Sequence, residues 1–259
     1  MVPEYLIGGI LFVFGACIGS FLNVCIYRLP LGRSIVFPPS SCPQCKRPIA
    51  PWDNMPIVSY LLLLGRCRHC RMPISMRYPL VEAITGFCAT AVYLKYGLTL
   101  EGLVFFIFIA ALIVVIFIDI DYQIIPDVIS LPGIPVFFLA SAFITSTTVA
   151  DSLLGILAGG GSLLIVAVTY RMITGKEGMG GGDIKLLAMI GALCGWKGVL
   201  FTIFVSSLTG TLVGMAIMVV KDKNMKLAIP FGPFLSLGAI VYIFYGPELL
   251  NWYLNMLRP

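Results

Sequence analysis

Charged side chains are scarce in this sequence: 11% of its 259 residues are Asp, Glu, Lys or Arg, whereas 59% are apolar. The mean hydropathy is +1.00. A soluble globular domain carries about 25% charged residues, so the composition excludes that class and indicates an integral membrane protein. We expect the lipid bilayer to be its main partner and expect no nucleic-acid partner.

The few charges leave long uncharged runs between them, and a helix needs about 20 apolar residues to cross a bilayer. Six runs are long enough or nearly so: 5–27, 102–118, 128–150, 152–170, 198–220 and 227–247. Two weaker candidates, 79–100 and 184–197, include charged residues, which are tolerated where they reach the membrane interface. The first run lacks the basic flank and short apolar core of a cleavable signal, so we expect it to be retained.

The distribution of Lys and Arg supports counting all eight runs. With eight spans, 14 of the 17 basic residues lie on one side, and Lys95, Lys197 and Arg258 lie on the other. The positive-inside rule makes the richer side cytoplasmic and both termini external. We therefore predict an all-α integral membrane protein with about eight transmembrane helices. Residues 1–27 would form the first helix, 28–78 a cytoplasmic loop domain, and 79–259 the other seven helices.

Two acids interrupt the apolar pattern at one predicted depth. Asp119 directly follows the run 102–118, and Asp183 ends the stretch GKEGMGGGD. Two spans separate them, so both lie at the cytoplasmic ends of their helices. Glycines allow unusual backbone conformations, and irregular backbone at membrane depth requires surrounding protein or a water-filled cavity. We expect a wet recess that contains both carboxyl groups.

Two carboxyl groups in one recess suit hydrolysis of a peptide bond, because close carboxylates share a proton and divide the roles of acid and base. Asp121 competes with Asp119 for this role, but residues two apart on a helix point about 200° away from each other. Only one of them can face Asp183. The alternative interpretation is that Asp183 merely caps its helix and that Asp119, Asp121 and Asp127 are solvated at the membrane surface.

The predicted cytoplasmic loop contains a second chemical motif. Cys42 and Cys45 form one CxxC pair, and Cys67 and Cys70 form another, with 21 residues between the pairs. This spacing is typical of four-cysteine zinc sites, and four thiolates leave no open coordination position, so such a zinc ion is structural. Disulfides are the alternative, although a cytosolic face is reducing. His69 is an alternative ligand in place of one cysteine.

Several segments together resemble one known family. They are GSFLNVCIYRLP, the two CxxC pairs, PWDNMPIVSY, RYPLVE, IDIDYQIIPD, GKEGMGGGDIKLLAMIGA and IPFGP. In this order the chain resembles, over essentially its whole length, the type IV prepilin peptidases, also called prepilin leader peptidase/N-methyltransferases. The only difference is a compact cytoplasmic loop.

The resemblance implies a bifunctional intramembrane aspartyl protease of the GxGD type, with Asp119 and Asp183 as its catalytic pair. Such enzymes of the bacterial inner membrane cut a basic leader from prepilins or pseudopilins on the cytoplasmic side. They then methylate the new amino terminus with S-adenosylmethionine. The resemblance also implies that the four loop cysteines hold zinc, and that Gly65 and Glu82 lie near the methylation function.

The residues also leave two other classes open. A proton- or cation-coupled transporter uses intramembrane carboxylates, although we find no convincing repeat of the two halves of the chain. A zinc-organised membrane scaffold would have no catalysis. The basic loop would repel a basic leader, so its charge fits contact with anionic lipid headgroups better. A substrate with an apolar helix would reach the acids laterally through the bilayer.

Overall fold

The computed structural model describes residues 3–144, 147–176, 180–221 and 229–256. Within these ranges the chain forms α-helices and short 3-10 turns, with no β-strand. The helices are α1 Glu4–Arg28, α2 Val58–Leu62, α3 Arg77–Tyr96, α4 Leu100–Tyr122, α5 Asp127–Ser141, α6 Val149–Thr174, α7 Gly181–Lys221 and α8 Gly232–Met256. The prediction of an all-α membrane protein is confirmed. Lys223, Lys226 and Arg258, which contribute to the charge count, lie outside the described residues.

Five of the described helices, α1, α4, α6, α7 and α8, are long and apolar enough to cross a membrane. Helix α5 is shorter than its uncharged run suggested, because it ends at Ser141 after 15 residues, or about 22 Å at 1.5 Å per residue. Helix α7 is interrupted at Gly195, where φ is 66° and ψ is −178°. If its two segments are counted separately and the short α2 is left aside, the described helices agree with the predicted eight.

The chain divides into two compact units, residues 1–114 and 115–259, with the boundary inside α4. In the first unit α1 packs on α3 through small residues. A Cβ at Gly15 would lie 2.7 Å from the Ala89 Cβ, and one at Gly19 would lie 2.7 Å from the Glu82 Cα. Glycine at these positions lets the two helix backbones approach closely, as is common between helices in membranes. The approach buries Glu82 beside α1.

In the second unit α6 and the first segment of α7 are also in close contact. A Cβ at Gly155 would overlap the backbone carbonyl of Gly191. At the break in α7, the Trp196 indole N–H donates to the Asp151 carboxylate at 3.1 Å. Helix α8 is joined to the second segment of α7 by the Ser206 hydroxyl, which donates to the Phe234 carbonyl at 3.0 Å. The last of these contacts lies in the first turn of α8.

Candidate active site and metal centre

Asp119 lies in the last turn of α4 and is nearly inaccessible, with 5% of its surface exposed. Its Oδ2 atom accepts a hydrogen bond of 2.9 Å from the backbone N–H of Gly232, the first residue of α8. The first N–H groups of a helix have no partner within the helix, so this carboxylate satisfies one of them. Asp121 is exposed, as the helical spacing of the two acids requires.

Asp183 lies in the first turn of α7, which begins at Gly181. Its own N–H donates to the Gly180 carbonyl at 3.2 Å, and its carboxyl group is partly buried. The carboxyl groups of Asp183 and Asp119 interact electrostatically. Both acids belong to the second unit, and Gly182, the neighbour of Asp183, and Gly232, the hydrogen-bond partner of Asp119, both lie beside Ile125.

Ile125, in the loop between α4 and α5, contacts both helix starts at this site. A Cβ at Gly182 would lie 2.9 Å from the Ile125 Cβ. A Cβ at Gly232 would lie 2.6 Å from the Asp119 Oδ2 and 3.1 Å from the Ile125 Cδ1. The two glycines therefore allow α7 and α8 to begin directly beside Asp119 and Ile125. Sequence analysis gave no role to Ile125 or Gly232, although Gly232 lies in the motif IPFGP.

Two carboxyl groups that are close together and shielded from solvent tend to share one proton and do not both ionise, because like charges repel and burial disfavours ionisation. One member can then accept a proton from water while the other donates one. Ion carriage would use the same groups, so the geometry of the pair does not by itself select hydrolysis.

The four loop cysteines of the first unit also meet. One sulfur from each of Cys42, Cys45, Cys67 and Cys70 lies within 4.8 Å of all the others. The Cys42 and Cys70 Sγ atoms are 3.8 Å apart, which is about the sulfur separation of a tetrahedral site with Zn–S bonds of about 2.3 Å. His69 is not part of this group; its Nδ1 lies 3.3 Å from an Arg47 nitrogen. The donor set fits a structural zinc ion.

The two CxxC pairs lie in turns of the same geometry. In each turn the first cysteine donates its N–H to the carbonyl five residues later and accepts from the N–H four residues later. These bonds are Cys42 to Arg47 at 3.0 Å, Lys46 to Cys42 at 2.9 Å, Cys67 to Met72 at 2.9 Å and Arg71 to Cys67 at 3.0 Å. The repeat C-x-x-C-x-x-P-I, found at 42–49 and 67–74, is the signal that sequence analysis missed.

Backbone N–H groups also donate to a sulfur of this cysteine group. Hydrogen bonds from the N–H groups of Cys70 and His69 lower the pKa of Cys67 to about 6. A thiolate is the form that binds zinc. The turn therefore favours the thiolate form of Cys67 at neutral pH.

Glu82 and Gly65 both support the second half of the loop. The buried Glu82 carboxylate accepts the Ile57 N–H at 2.7 Å, and the backbone of Ile57 has a positive φ of 61°. Gly65 has a φ of 66°, and a Cβ there would lie 2.8 Å from the Tyr60 hydroxyl. These contacts give both residues a structural role, beside the role in methylation that the resemblance implies.

A cavity of about 540 Å³ lies in the first unit, between the loop and helices α1 and α3. Its lining includes the aromatic residues Tyr27, Tyr60 and Tyr78, the acidic residues Asp53 and Glu82, and the basic residues Arg28, Arg33, Lys46, Arg47 and Arg68. Its volume falls in the range typical of small-molecule sites. The lining therefore combines aromatic rings with both acidic and basic side chains, and the Asp53 carboxylate is occupied by Arg68.

Comparisons with known proteins cover most of the chain. Residues 13–96 match the profile of the bacterial peptidase A24 N-terminal domain, and residues 106–215 match that of the type IV leader peptidase family. The chain is 37% identical to a prepilin leader peptidase/N-methyltransferase of Pseudomonas putida, over 96% of this chain and 94% of the relative.

Two further relatives carry the same description. The chain is 36% identical to the protein of Pseudomonas aeruginosa, over 94% of this chain and 92% of the relative. It is 37% identical to that of Neisseria gonorrhoeae, over 94% and 93%. No solved structure matches the chain significantly.

Proposed function

The chain belongs to the type IV leader peptidase family, and on that premise we propose that Asp119 and Asp183 are the pair with which it cleaves prepilin leaders. It is a membrane-embedded peptidase that also methylates the new amino terminus. The transporter interpretation finds no support, because both the matching profile and the relatives are described as peptidases.

The observation that carries the proposal is the placement of Asp119. It is buried against the first residue of α8, and its charge acts on Asp183. A solvated surface acid, which was the alternative interpretation, would be neither buried nor coupled to a second acid. Asp121 is exposed and is the matched residue that lacks this placement.

The pair would hydrolyse the leader bond by general acid–base catalysis. The charged carboxylate takes a proton from water, whose oxygen bonds to the scissile carbonyl carbon. The protonated carboxyl group stabilises the carbonyl oxygen and then protonates the leaving amine. Gly232 lets the start of α8 lie against Asp119, and Gly182 lets the start of α7 lie against Ile125.

The first unit would supply the metal centre. We assign Cys42, Cys45, Cys67 and Cys70 as ligands of a structural zinc ion, because their sulfurs are already grouped at tetrahedral spacing. Such an ion would close residues 28–78 into a small domain that has little apolar core of its own. Residues 1–27 would then be the first transmembrane helix, and residues 79–259 the membrane domain with the acid pair.

The cavity beside Glu82 is our candidate for the methyl-donor site. When bound, S-adenosylmethionine supplies a methyl group attached to a positively charged sulfur. The tyrosine rings of the cavity suit stacking and cation–π contact, and the Glu82 carboxylate would provide a negative charge that complements the positively charged sulfur. Gly65 would act indirectly, by allowing Tyr60 to pack against the turn.

The substrate would be a prepilin or pseudopilin whose apolar amino-terminal helix enters from the bilayer. We place the enzyme in the bacterial inner membrane, with both termini outside and with the zinc loop and the acids at the cytoplasmic face. This orientation rests on the distribution of Lys and Arg in the sequence.

The test is cleavage of a purified prepilin by Asp119→Asn, Asp183→Asn and Asp121→Asn variants. We expect the first two to lower the cleavage rate by about 10³-fold or more, since removal of one member of a catalytic unit disables it. Asp121→Asn should stay within about threefold of the parent, because an exposed side chain away from the pair contributes little. Equal loss at residues 119 and 121 would refute the assignment.

A further inference from the structure

We infer that the backbone N–H of Gly232 fixes the roles of the two acids, so that Asp119 is the base and Asp183 the acid. This inference rests on the proposed function of the pair. Gly232 is then a positioning residue that acts through Asp119 and does not itself touch the substrate.

The contact at Asp119 favours the charged form of that carboxyl group. Its Oδ2 lies 2.9 Å from the Gly232 nitrogen, in a buried setting. An N–H donor stabilises a carboxylate more than it stabilises a protonated carboxyl group. The donor also stands at the amino terminus of α8, where the helix dipole adds positive potential.

Asp183 lacks an equivalent contact. Within the described ranges of the chain, no hydrogen-bond donor reaches its carboxylate, and its own N–H is used by the Gly180 carbonyl. Among the residues that the structure describes, the titratable group that acts on it is Asp119. The nearby cation on α7, Lys185, is bound instead by Asp127 of α5, at 2.7 Å. When Asp119 carries the negative charge, Asp183 therefore retains the shared proton.

This asymmetry orders the proton transfers. Asp119 removes a proton from water, and the water oxygen bonds to the carbonyl carbon. Asp183 gives its proton to the amine nitrogen as the carbon–nitrogen bond breaks. The cycle ends with Asp119 protonated and Asp183 charged, and exchange with water restores the starting distribution.

The same geometry explains why residue 232 is glycine. A Cβ at this position would lie 2.6 Å from the Asp119 Oδ2, closer than unbonded atoms approach. Any larger residue must displace the carboxylate from the N–H or shift the start of α8. Gly161 of α6 is a matched control, because a Cβ there would meet nothing within 4 Å.

The experiment measures cleavage of a purified prepilin against pH by the full-length enzyme in liposomes, comparing Gly232→Ala with Gly161→Ala. We expect Gly232→Ala to lower kcat by about tenfold or more, as for loss of one oriented donor, while KM changes by less than about threefold. The acidic limb of the profile should move to higher pH, because the base loses the contact that favours its charge. Gly161→Ala should match the parent.

A uniformly lowered profile with an unmoved acidic limb would overturn the inference, since a merely structural defect reduces the number of active molecules and not their ionisation. If only the alkaline limb moved, the assignment would be reversed, with Asp119 as the acid and Asp183 as the base. If Gly232→Ala does not fold, glycolic acid at position 232 removes the N–H donor without adding an atom beside Asp119. That variant should give the same shift.

Asp119→Asn separates this inference from the proposed function. Full cleavage by Asp119→Asn would refute the catalytic pair itself. Lost cleavage in Asp119→Asn, together with an unmoved limb in both residue-232 variants, would leave the pair intact and refute only the assignment of roles.

Discussion

The two units of this protein assemble their chemical centres in different ways. In the first unit, the four cysteines come from two short turns of repeated sequence, and each turn is closed by its own backbone hydrogen bonds. In the second, Asp119 and Asp183 come from different long helices, and packing against Ile125 and α8 brings them together. A polar loop without a large core needs a metal to hold it, whereas apolar helices can hold a polar pair by themselves.

This comparison predicts that each unit can lose its own reaction and keep the other. The largest effect belongs to the second unit. The double variant Asp119→Asn/Asp183→Asn should cleave prepilin at the same rate as either single variant, which is about 10⁻³ of the parent rate or less. The second substitution adds no further loss because the two acids work together in one catalytic step. Initial rates from a gel assay provide the measurement. Losses that multiply would mean that the acids act independently.

A tenfold effect is expected at the zinc centre of the first unit. Serine at Cys42, Cys45, Cys67 and Cys70 together should remove the zinc ion and lower methylation by about tenfold or more, since the fold of the loop depends on the metal. Cleavage should change by less than about threefold. Metal content by mass spectrometry is the measurement, and Cys17→Ser, which changes an exposed cysteine of α1, is the control. Zinc retained in equal amount by the fourfold variant would contradict the ligand assignment.

A smaller effect is expected when the loop glycines are replaced by alanine, and it distinguishes a clash of the new side chain from backbone strain. Gly65 and Gly32 have similar φ values, 66° and 62°, but a Cβ meets the Tyr60 hydroxyl only at residue 65. Alanine at Gly32 should cost only the left-handed strain of about 1 kcal/mol, whereas alanine at Gly65 should in addition lower methylation several-fold. Thermal unfolding and methylation rates measure the two quantities. Equal results at both glycines would leave no role for Tyr60.

The smallest effect is expected at the Asp53–Arg68 ion pair. Arg68 donates to both carboxylate oxygens, at 2.6 to 3.0 Å, and this contact lowers the pKa of Asp53 below its usual value. Because the pKa of Asp53 is lower in the folded state, ionisation of Asp53 stabilises the fold at pH values above the unfolded-state pKa of about 4. This stabilisation is lost as the pH falls through the folded-state pKa. Asp53→Asn should therefore lower the unfolding temperature slightly at pH 7, and the two proteins should converge as the pH falls below the folded-state pKa of Asp53. A difference that persists at low pH would point to another cause.

Local features of the sequence predicted much of this molecule. The CxxC spacing predicted the cysteine group because each pair is a known ligand motif, and the uncharged runs predicted the long helices because hydropathy is a local property. The end of α5 at Ser141 was not predicted, since hydropathy stays high beyond the helix. The contact of Gly232 with Asp119 was not predicted either, because it joins residues far apart in the chain, and IPFGP contains no charge to mark it.

The most direct test of the division between the units is one mass-spectrometric assay of Asp183→Asn with two substrates, a full-length prepilin and the same pilin with its leader already removed. The account predicts no cleavage of the first and methylation of the second at the parent rate, within about twofold. Cleavage of the full-length prepilin, or failure to methylate the shortened one by a folded, zinc-loaded variant, would contradict it.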